Sequence, residues 1–299
     1  MAVNFEGFFI NLESCKERRE SLLKHLQAQG FSLEAYSRFA AIAPSDPREH
    51  ERFGLSSRGE LGIWRTTIAL MRAIDSVPGP PVVHCMEDDA RFCAAAPGVI
   101  KSLVGLMRPT QSNLPPLDLI FLDSFLDVSR LEALLERLPQ EQKTSVEPLT
   151  AVVEFLPAHA YLASLTSFLV ARSSAGLIAE LLSRAMQNLR PLPPVDLALR
   201  GLLRAGALRA LICMPPLGAP SWESGFVSTI QSAANQSRQR SQVAHILMRQ
   251  FASGLMAPKA CTHAWAELFS LPQEDGFAMP SRADFVNLVQ QHVSALEQF

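Results

Sequence analysis

Short apolar runs alternate with longer amphipathic ones along the chain, and this alternation sets the expected elements. Gly7-Phe8-Phe9-Ile10-Asn11-Leu12 is a continuous apolar run that ends in polar residues, the pattern of a buried first strand. From Lys16 to Gln29, Leu22, Leu23 and Leu26 share one helical face, while Arg18, Arg19 and Lys24 lie largely elsewhere. Ser14 is expected to cap this helix and Gly30 to stop it. A second strand is expected between Phe31 and Ile42, ending near Ala40-Ala41-Ile42. Ser57-Arg58-Gly59-Glu60 introduces a helical run from Leu61 to Ile74, and Val77-Pro78-Gly79-Pro80-Pro81 breaks it.

Pro81 to Met86 reads as a strand that stops in the acidic triplet Glu87-Asp88-Asp89. A helix is expected over Gly98 to Met107, and a strand over Leu117 to Asp123, again with an acid at its end. Leu126 to Leu138 has a helical pattern that Pro139 would stop, followed by a polar loop over Gln140 to Glu147. A strand is expected at Ser167 to Ala171 and a helix at Ser173 to Leu189. Pro191-Leu192-Pro193-Pro194 breaks that helix, Val195-Asp196 opens another toward Ala205, and Ala210 to Met214 forms a final strand. After about Gln231 the chain turns polar and then helical, with Val243, Ile246, Leu247, Phe251 and Leu255 at helical spacing. Alternating strands and helices predict an α/β layered fold, with chemistry at the carboxyl edge of the sheet.

Composition narrows this picture. Apolar residues make up 48% of 299 residues and charged residues 19%, which provides for a large core and argues against extended disorder. A net charge of −2 removes the basic excess that a nucleic-acid surface requires. Cys15, Cys85, Cys93, Cys213 and Cys261 are odd in number and scattered, so neither a disulfide framework nor a structural zinc site is expected. Free thiols fit a reducing compartment. Met1 to Ile10 lacks a basic start followed by a long apolar stretch, and no run of 18 apolar residues occurs. Neither a signal peptide nor a membrane span is therefore expected.

Glu87 and Asp89 carry the chemistry most open to reading. Two carboxylates one residue apart at a strand end can face the same space and hold a hard divalent cation, leaving other positions for water and phosphate. The plain alternative is a solvated acidic turn. Three adjacent carboxylates repel one another, so the arrangement calls for a compensating cation or basic group.

Several segments together resemble glycosyltransferase family 25, the group of bacterial lipooligosaccharide galactosyltransferases and collagen galactosyltransferase domains. Phe9-Ile10-Asn11-Leu12 with Arg18-Arg19 resembles the family's opening, and Arg38-Phe39-Ala40-Ala41-Ile42 its next strand. Gly59-Glu60-Leu61-Gly62 resembles Gly-Glu-Ile-Gly, and Glu87-Asp88-Asp89-Ala90 with Phe92 the Leu-Glu-Asp-Asp block. Phe168-Leu169-Val170 with Arg172 and Ala175, and then Pro194-Val195-Asp196, resemble later segments. The likeness spans about residues 7 to 230. Thr67 stands where the family carries His, and Leu165-Thr166-Ser167 where it tends to have glycines.

The resemblance implies a GT-A-like nucleotide-sugar-binding fold with a mixed, mostly parallel central sheet. It also implies a UDP-sugar donor, usually UDP-galactose, a cation such as Mn2+ or Mg2+, and inversion at the anomeric carbon. Glu87 and Asp89 become the expected metal ligands, and Asp88 faces the sugar or supports the pair. Asn11, Leu12, Arg18, Arg19, Ala41 and Glu60 become the expected donor-binding set. Asp196 and Asp123 compete as the base that takes the acceptor proton. Each has a structural alternative: solvated arginines at Arg18 and Arg19, helix-start carboxylates at Glu60 and Asp196, a strand-end acid at Asp123. His84 reads as a core or edge residue, and Trp222 and Glu223 lie near the expected acceptor side. The expected organisation is a catalytic domain over 1–230 with a helical extension over 231–299 packed on it. The expected reaction is transfer of a hexose to a saccharide hydroxyl, such as lipopolysaccharide, in the cytoplasm and in peripheral contact with the inner face of the membrane. A noncatalytic or atypical nucleotide-sugar-binding protein that keeps the fold is the alternative.

Overall fold

A computed structural model describes residues 6–107, 116–126, 128–138, 140, 154–221, 236–255, 261, 264–265 and 281–291. The elements run β1 (Glu6–Asn11), α1 (Lys16–Ala28), β2 (Tyr36–Ala40), α2 (Arg58–Ser76), β3 (Val82–Glu87), β4 (Ala90–Phe92), α3 (Ala96–Met107), β5 (Leu119–Phe121) and α4 (Val128–Arg137). They continue with β6 (Glu154–Pro157), β7 (Ser167–Ala171), α5 (Arg172–Asn188), α6 (Val195–Arg204), β8 (Ala210–Met214), β9 (Gly218–Pro220), α7 (Gln236–Ala252) and α8 (Arg282–Gln291). The expected α/β class is the observed one. A mixed seven-stranded sheet has the order β2-β1-β3-β7-β5-β8-β6. Strands β2, β1, β3, β5 and β8 point one way, and β7 and β6 run against them.

Period-two alternation builds the two sides of the sheet. Val83, Cys85, Phe121, Phe168 and Val170 join the core under α2, α5 and α6. Val82, Met86, Ile120, Leu122 and Leu169 join the core under α1 and α3. A third cluster, including Leu126, Val243, Leu247, Phe251, Trp265 and Phe285, packs α7 and α8 against α4. Helix α7 carries the expected positions Val243, Ile246, Leu247 and Phe251 but ends at Ala252, before Leu255, and much of the remaining tail lies outside the described residues. Burying a Phe or Leu side chain in such a cluster contributes about 1.5–3 kcal/mol.

Several local expectations need correction. Ser14 does not cap α1: Cys15 occupies the cap position and no side chain accepts there. Instead, Asn11 Nδ2 donates to the Cys15 carbonyl at 3.0 Å. Helix α2 starts earlier than expected because Ser57 caps it, its hydroxyl accepting from Glu60 N at 3.1 Å. Strand β5 covers only Leu119–Phe121, so Asp123 lies past its end. Helix α3 begins at Ala96 rather than Gly98. The short strands β4 and β9 pair with each other in a separate antiparallel ribbon that was not expected. Residues 141–147 of the expected polar loop, Trp222 and Glu223 lie outside the described residues.

His84 is a core residue, as the residues suggested. It lies between Tyr36 OH, 2.9 Å from Nδ1, and Ser167 Oγ, 2.9 Å from Nε2. Burial pushes its pKa down to about 3, so it stays neutral. Among the described residues, no helix is long and apolar enough to cross a membrane.

Candidate active site

Parallel strands deliver their last residues to one edge of a sheet. Here that edge collects Asn11 from β1, Ala41 after β2, Glu87 from β3 and Asp123 after β5. Strand β7 starts at the same edge because it runs antiparallel, which adds the turn Ser164-Leu165-Thr166. The Glu87 amide donates to the Thr166 carbonyl at 2.9 Å, fixing the triplet against that turn. A cavity of about 600 Å³ opens there. Its walls carry five carboxylates, from Glu60, Glu87, Asp88, Asp89 and Asp196, against the guanidiniums of Arg18, Arg58 and Arg249.

The triplet is compensated by a basic group. Arg18 Nη2 lies 2.6 Å from Asp88 Oδ1 and 2.9 Å from Asp89 Oδ2. Asn11 Nδ2 holds the other Asp88 oxygen at 2.7 Å. Burial works to lower the Arg18 pKa, but Asp89 and Asp88 outweigh it and the net shift is upward. Among the described residues Glu87 has no direct ion pair, and Arg18 acts on it only from farther away. Burial, followed by repulsion from Asp89 and Asp88, pushes its pKa up to about 8, above the usual carboxylate range. Asp89 Oδ1 is buried without a hydrogen-bond partner among the described residues.

These features bear on a divalent cation. Among the described residues, no three His, Cys, Asp or Glu side chains form a ready-made metal cage. Magnesium and manganese at nucleotide sites use one or two carboxylates, with phosphate and water completing the shell. Glu87 and Asp89 match that donor set. The Asp89 oxygen that lacks a partner among the described residues and the Glu87 carboxyl, crowded by Asp88 and Asp89, are the groups that a cation would relieve. A diphosphate brings further negative charge to walls that already carry a carboxylate excess, and Arg18 is engaged by two of those carboxylates.

The two expected base candidates occupy different places. Asp196 lines the cavity from the first turn of α6, where Pro194 rather than Asp196 holds the cap position. Its Oδ1 accepts from Leu197 N at 2.9 Å and its Oδ2 from Ser164 N at 3.3 Å. Burial raises its pKa, and those backbone donors oppose the rise. Trp64 Nε1 donates to the Pro193 carbonyl at 2.9 Å, tying α2 to the Pro-Val-Asp turn. Asp123 is fully buried and lies behind the wall, where its Oδ2 accepts from Arg249 Nη1 at 2.6 Å and from the Ser164 hydroxyl at 2.6 Å. Burial raises its pKa too, opposed chiefly by Arg249.

Of the expected donor-binding set, Asn11, Leu12, Arg18, Ala41, Glu60 and Asp88 line the cavity. Arg19 is half-buried on α1 and does not. The Glu60 carboxylate is already engaged, accepting from Ser56 N and Ser56 Oγ, both at 2.8 Å. Thr67 lines the cavity as well. The sequence does not single out several lining residues, Arg249 and Ser164 among them. Arg249 reaches the wall from α7, and Ser164 takes a positive φ of 107°. A non-glycine residue there costs about 1–3 kcal/mol and persists only where surrounding contacts over-determine it. The sequence signal for Arg249 is an arginine three residues after Ile246, on the apolar stripe of its helix.

No protein-family model matches the chain, and no curated protein matches it. Several solved structures are similar to it, among them these two. One is the mannosyltransferase PcManGT from Pyrobaculum calidifontis in complex with GDP-Man and Mn2+, at 13% identity, TM-score 0.36, over 99% of this chain and 78% of that one. The other is S. aureus TarS 1-349, at 12% identity, TM-score 0.33, over 98% of this chain and 83% of that one. At these identities and scores neither likeness bears on the chemistry, which rests on the site itself.

Proposed function

We propose that the chain is a metal-dependent inverting glycosyltransferase. It would move a hexose, galactose by the family-25-like segments, from a UDP-sugar to a hydroxyl of a saccharide acceptor such as lipopolysaccharide. Its GT-A-like domain spans 1–230, with the extension 231–299 packed on it. Its place of action on this reading is the cytoplasm, with the inner face of the membrane as the alternative place. One observation carries the reading: Glu87, Asp88 and Asp89 share a single cavity with Asp196 at the carboxyl edge of the sheet.

Each group has work that follows from its place. Asn11, Leu12 and Ala41 at the strand ends face the base and ribose. Glu87 and Asp89 would hold Mn2+ or Mg2+, which when bound offsets the charge that develops on the departing diphosphate. Arg18 holds Asp88 and Asp89 together and supplies a guanidinium at the phosphate end. Asp196 takes the proton of the acceptor hydroxyl as its oxygen bonds to the anomeric carbon. The bond from that carbon to the diphosphate oxygen breaks on the opposite side, which inverts the centre. The raised pKa of Asp196 makes it a stronger base than an exposed aspartate.

One observation favours a second reading. Arg18 already pairs with both Asp88 and Asp89, as it would in a nucleotide-sugar-binding protein without turnover. Thermal-shift measurements with UDP-, GDP- and CMP-sugars, with and without manganese, test the proposal. A rise in melting temperature with UDP-galactose that needs manganese supports it. No shift with any donor contradicts both readings.

A further inference from the structure

Helix α7 reaches the candidate site through two buried side chains, the apolar Ile246 and the charged Arg249. Arg249 is 2% exposed, yet it forms part of the cavity wall. Its Nη1 donates both to Asp123 Oδ2 at 2.6 Å and to Ser164 Oγ at 3.0 Å. Its Cζ sits 4.4 Å over the Phe125 ring, which also lines the cavity.

Ser164 is the joint of this network. Its hydroxyl donates to Asp123, lies 3.1 Å from Thr166 Oγ1 and accepts from Thr166 N at 3.3 Å. Its carbonyl accepts from Tyr161 OH at 2.7 Å. Its amide is the one that meets Asp196 at 3.3 Å. All of this holds a backbone at positive φ that serine does not choose unaided. Phe125 N donates to Ala163 O at 3.0 Å, so the segment after β5 and the turn before β7 are stitched together at the same point.

We infer that Arg249 and Asp123 form a positioning pair that locks Ser164 in its left-handed conformation, so that the Ser164 amide aims Asp196 at the acceptor hydroxyl. Helix α7 is then part of the active centre rather than an appendage. Asp123 acts through Ser164 and touches no substrate. This inference rests on the transferase reading, because it assigns a device for placing that reading's base. Strained backbone held by over-determined contacts is a means of pre-organising a reacting group.

The test is UDP release from UDP-galactose with manganese, together with UDP affinity, for wild type, Arg249→Met, Arg249→Lys and Ser164→Ala. For Arg249→Met, kcat should fall about 100-fold, while KM and UDP affinity stay within about twofold, because a misplaced base slows the chemical step and not binding. Arg249→Lys should recover at least about tenfold of that loss, since a single nitrogen makes both native bonds and an ammonium can replace it. Ser164→Ala leaves the ion pair intact and should lower kcat about tenfold with the same split. It decides the matter if Arg249→Met does not fold. An unchanged kcat in these variants of an active wild type overturns the inference alone, as does a loss confined to KM. A wild type inert toward UDP-galactose overturns the transferase reading, and this inference falls with it.

Discussion

Arg18 places a guanidinium nitrogen 2.9 Å from Asp89 Oδ2, at the carboxylate that the sequence marks for a cation. The second oxygen of Asp89 is buried and has no hydrogen-bond partner among the described residues. One oxygen of this carboxylate is thus paired with Arg18, and the other has no hydrogen-bond partner among the described residues. On the proposed reading, Arg18 and a bound cation would compete for Asp88 and Asp89.

That rivalry is measurable. Arg18→Met removes the competing charge and should tighten manganese binding in the absence of nucleotide by about five- to tenfold, the equivalent of roughly 1 kcal/mol for a partly exposed pair. The melting temperature without metal should fall, because Asp88 and Asp89 lose their counter-charge. Calorimetric titration of manganese into both proteins checks this. An unchanged affinity would place the cation elsewhere.

Asp196→Asn keeps the shape of the side chain and removes its basicity. Its kcat for transfer should fall by about 10²–10⁴-fold with donor affinity unchanged. Steady-state kinetics beside UDP titration separates the two quantities. Full activity in the variant would return the base role to another group.

Stability should also depend on pH through the fully buried His84. Its folded pKa is about 3 against 6.5 for an unperturbed imidazole. Between these values the unfolded chain binds a proton that the folded protein does not. This group's contribution is therefore fully present above about pH 6.5 and is lost as pH falls toward about 3, with a limiting slope of about 1.4 kcal/mol per pH unit. His25 acts in the same direction, its pKa lowered to about 4 by burial and by Arg91. Denaturant melts between pH 7 and pH 4 should show the loss, and His84→Gln should flatten it. An equal slope in the variant would assign the acid sensitivity to other groups.

Much of this was legible in the sequence, for identifiable reasons. Strands β1 and β3 announce themselves because their apolar runs end abruptly in Asn11 and Glu87, and a strand end at a sheet edge is where polar residues collect. The triplet's need for a counter-charge was also legible, since like charges in sequence are necessarily close in space. Its source was not: Arg18 and Asp89 lie 71 residues apart by number and meet only through the parallel pairing of β1 with β3. Strands β4 and β9 were missed because three residues carry no period, and their pairing of Ala90 with Pro220 is set by tertiary context. Arg249 was passed over because the helical stripe of Val243, Ile246, Leu247 and Phe251 satisfies a packing explanation. The buried Asp123 that makes an arginine tolerable on that stripe is 126 residues away. The left-handed backbone at Ser164 gives no signal in residue type at all, because its neighbours, not the serine, impose it.

The most direct measurement is calorimetric titration of UDP into wild type and Asp89→Ala, each with and without manganese. Saturable binding that requires manganese in the wild type and is lost in Asp89→Ala is the predicted result. Equal binding by both proteins, or binding by neither, contradicts a metal–diphosphate clamp at the acidic triplet.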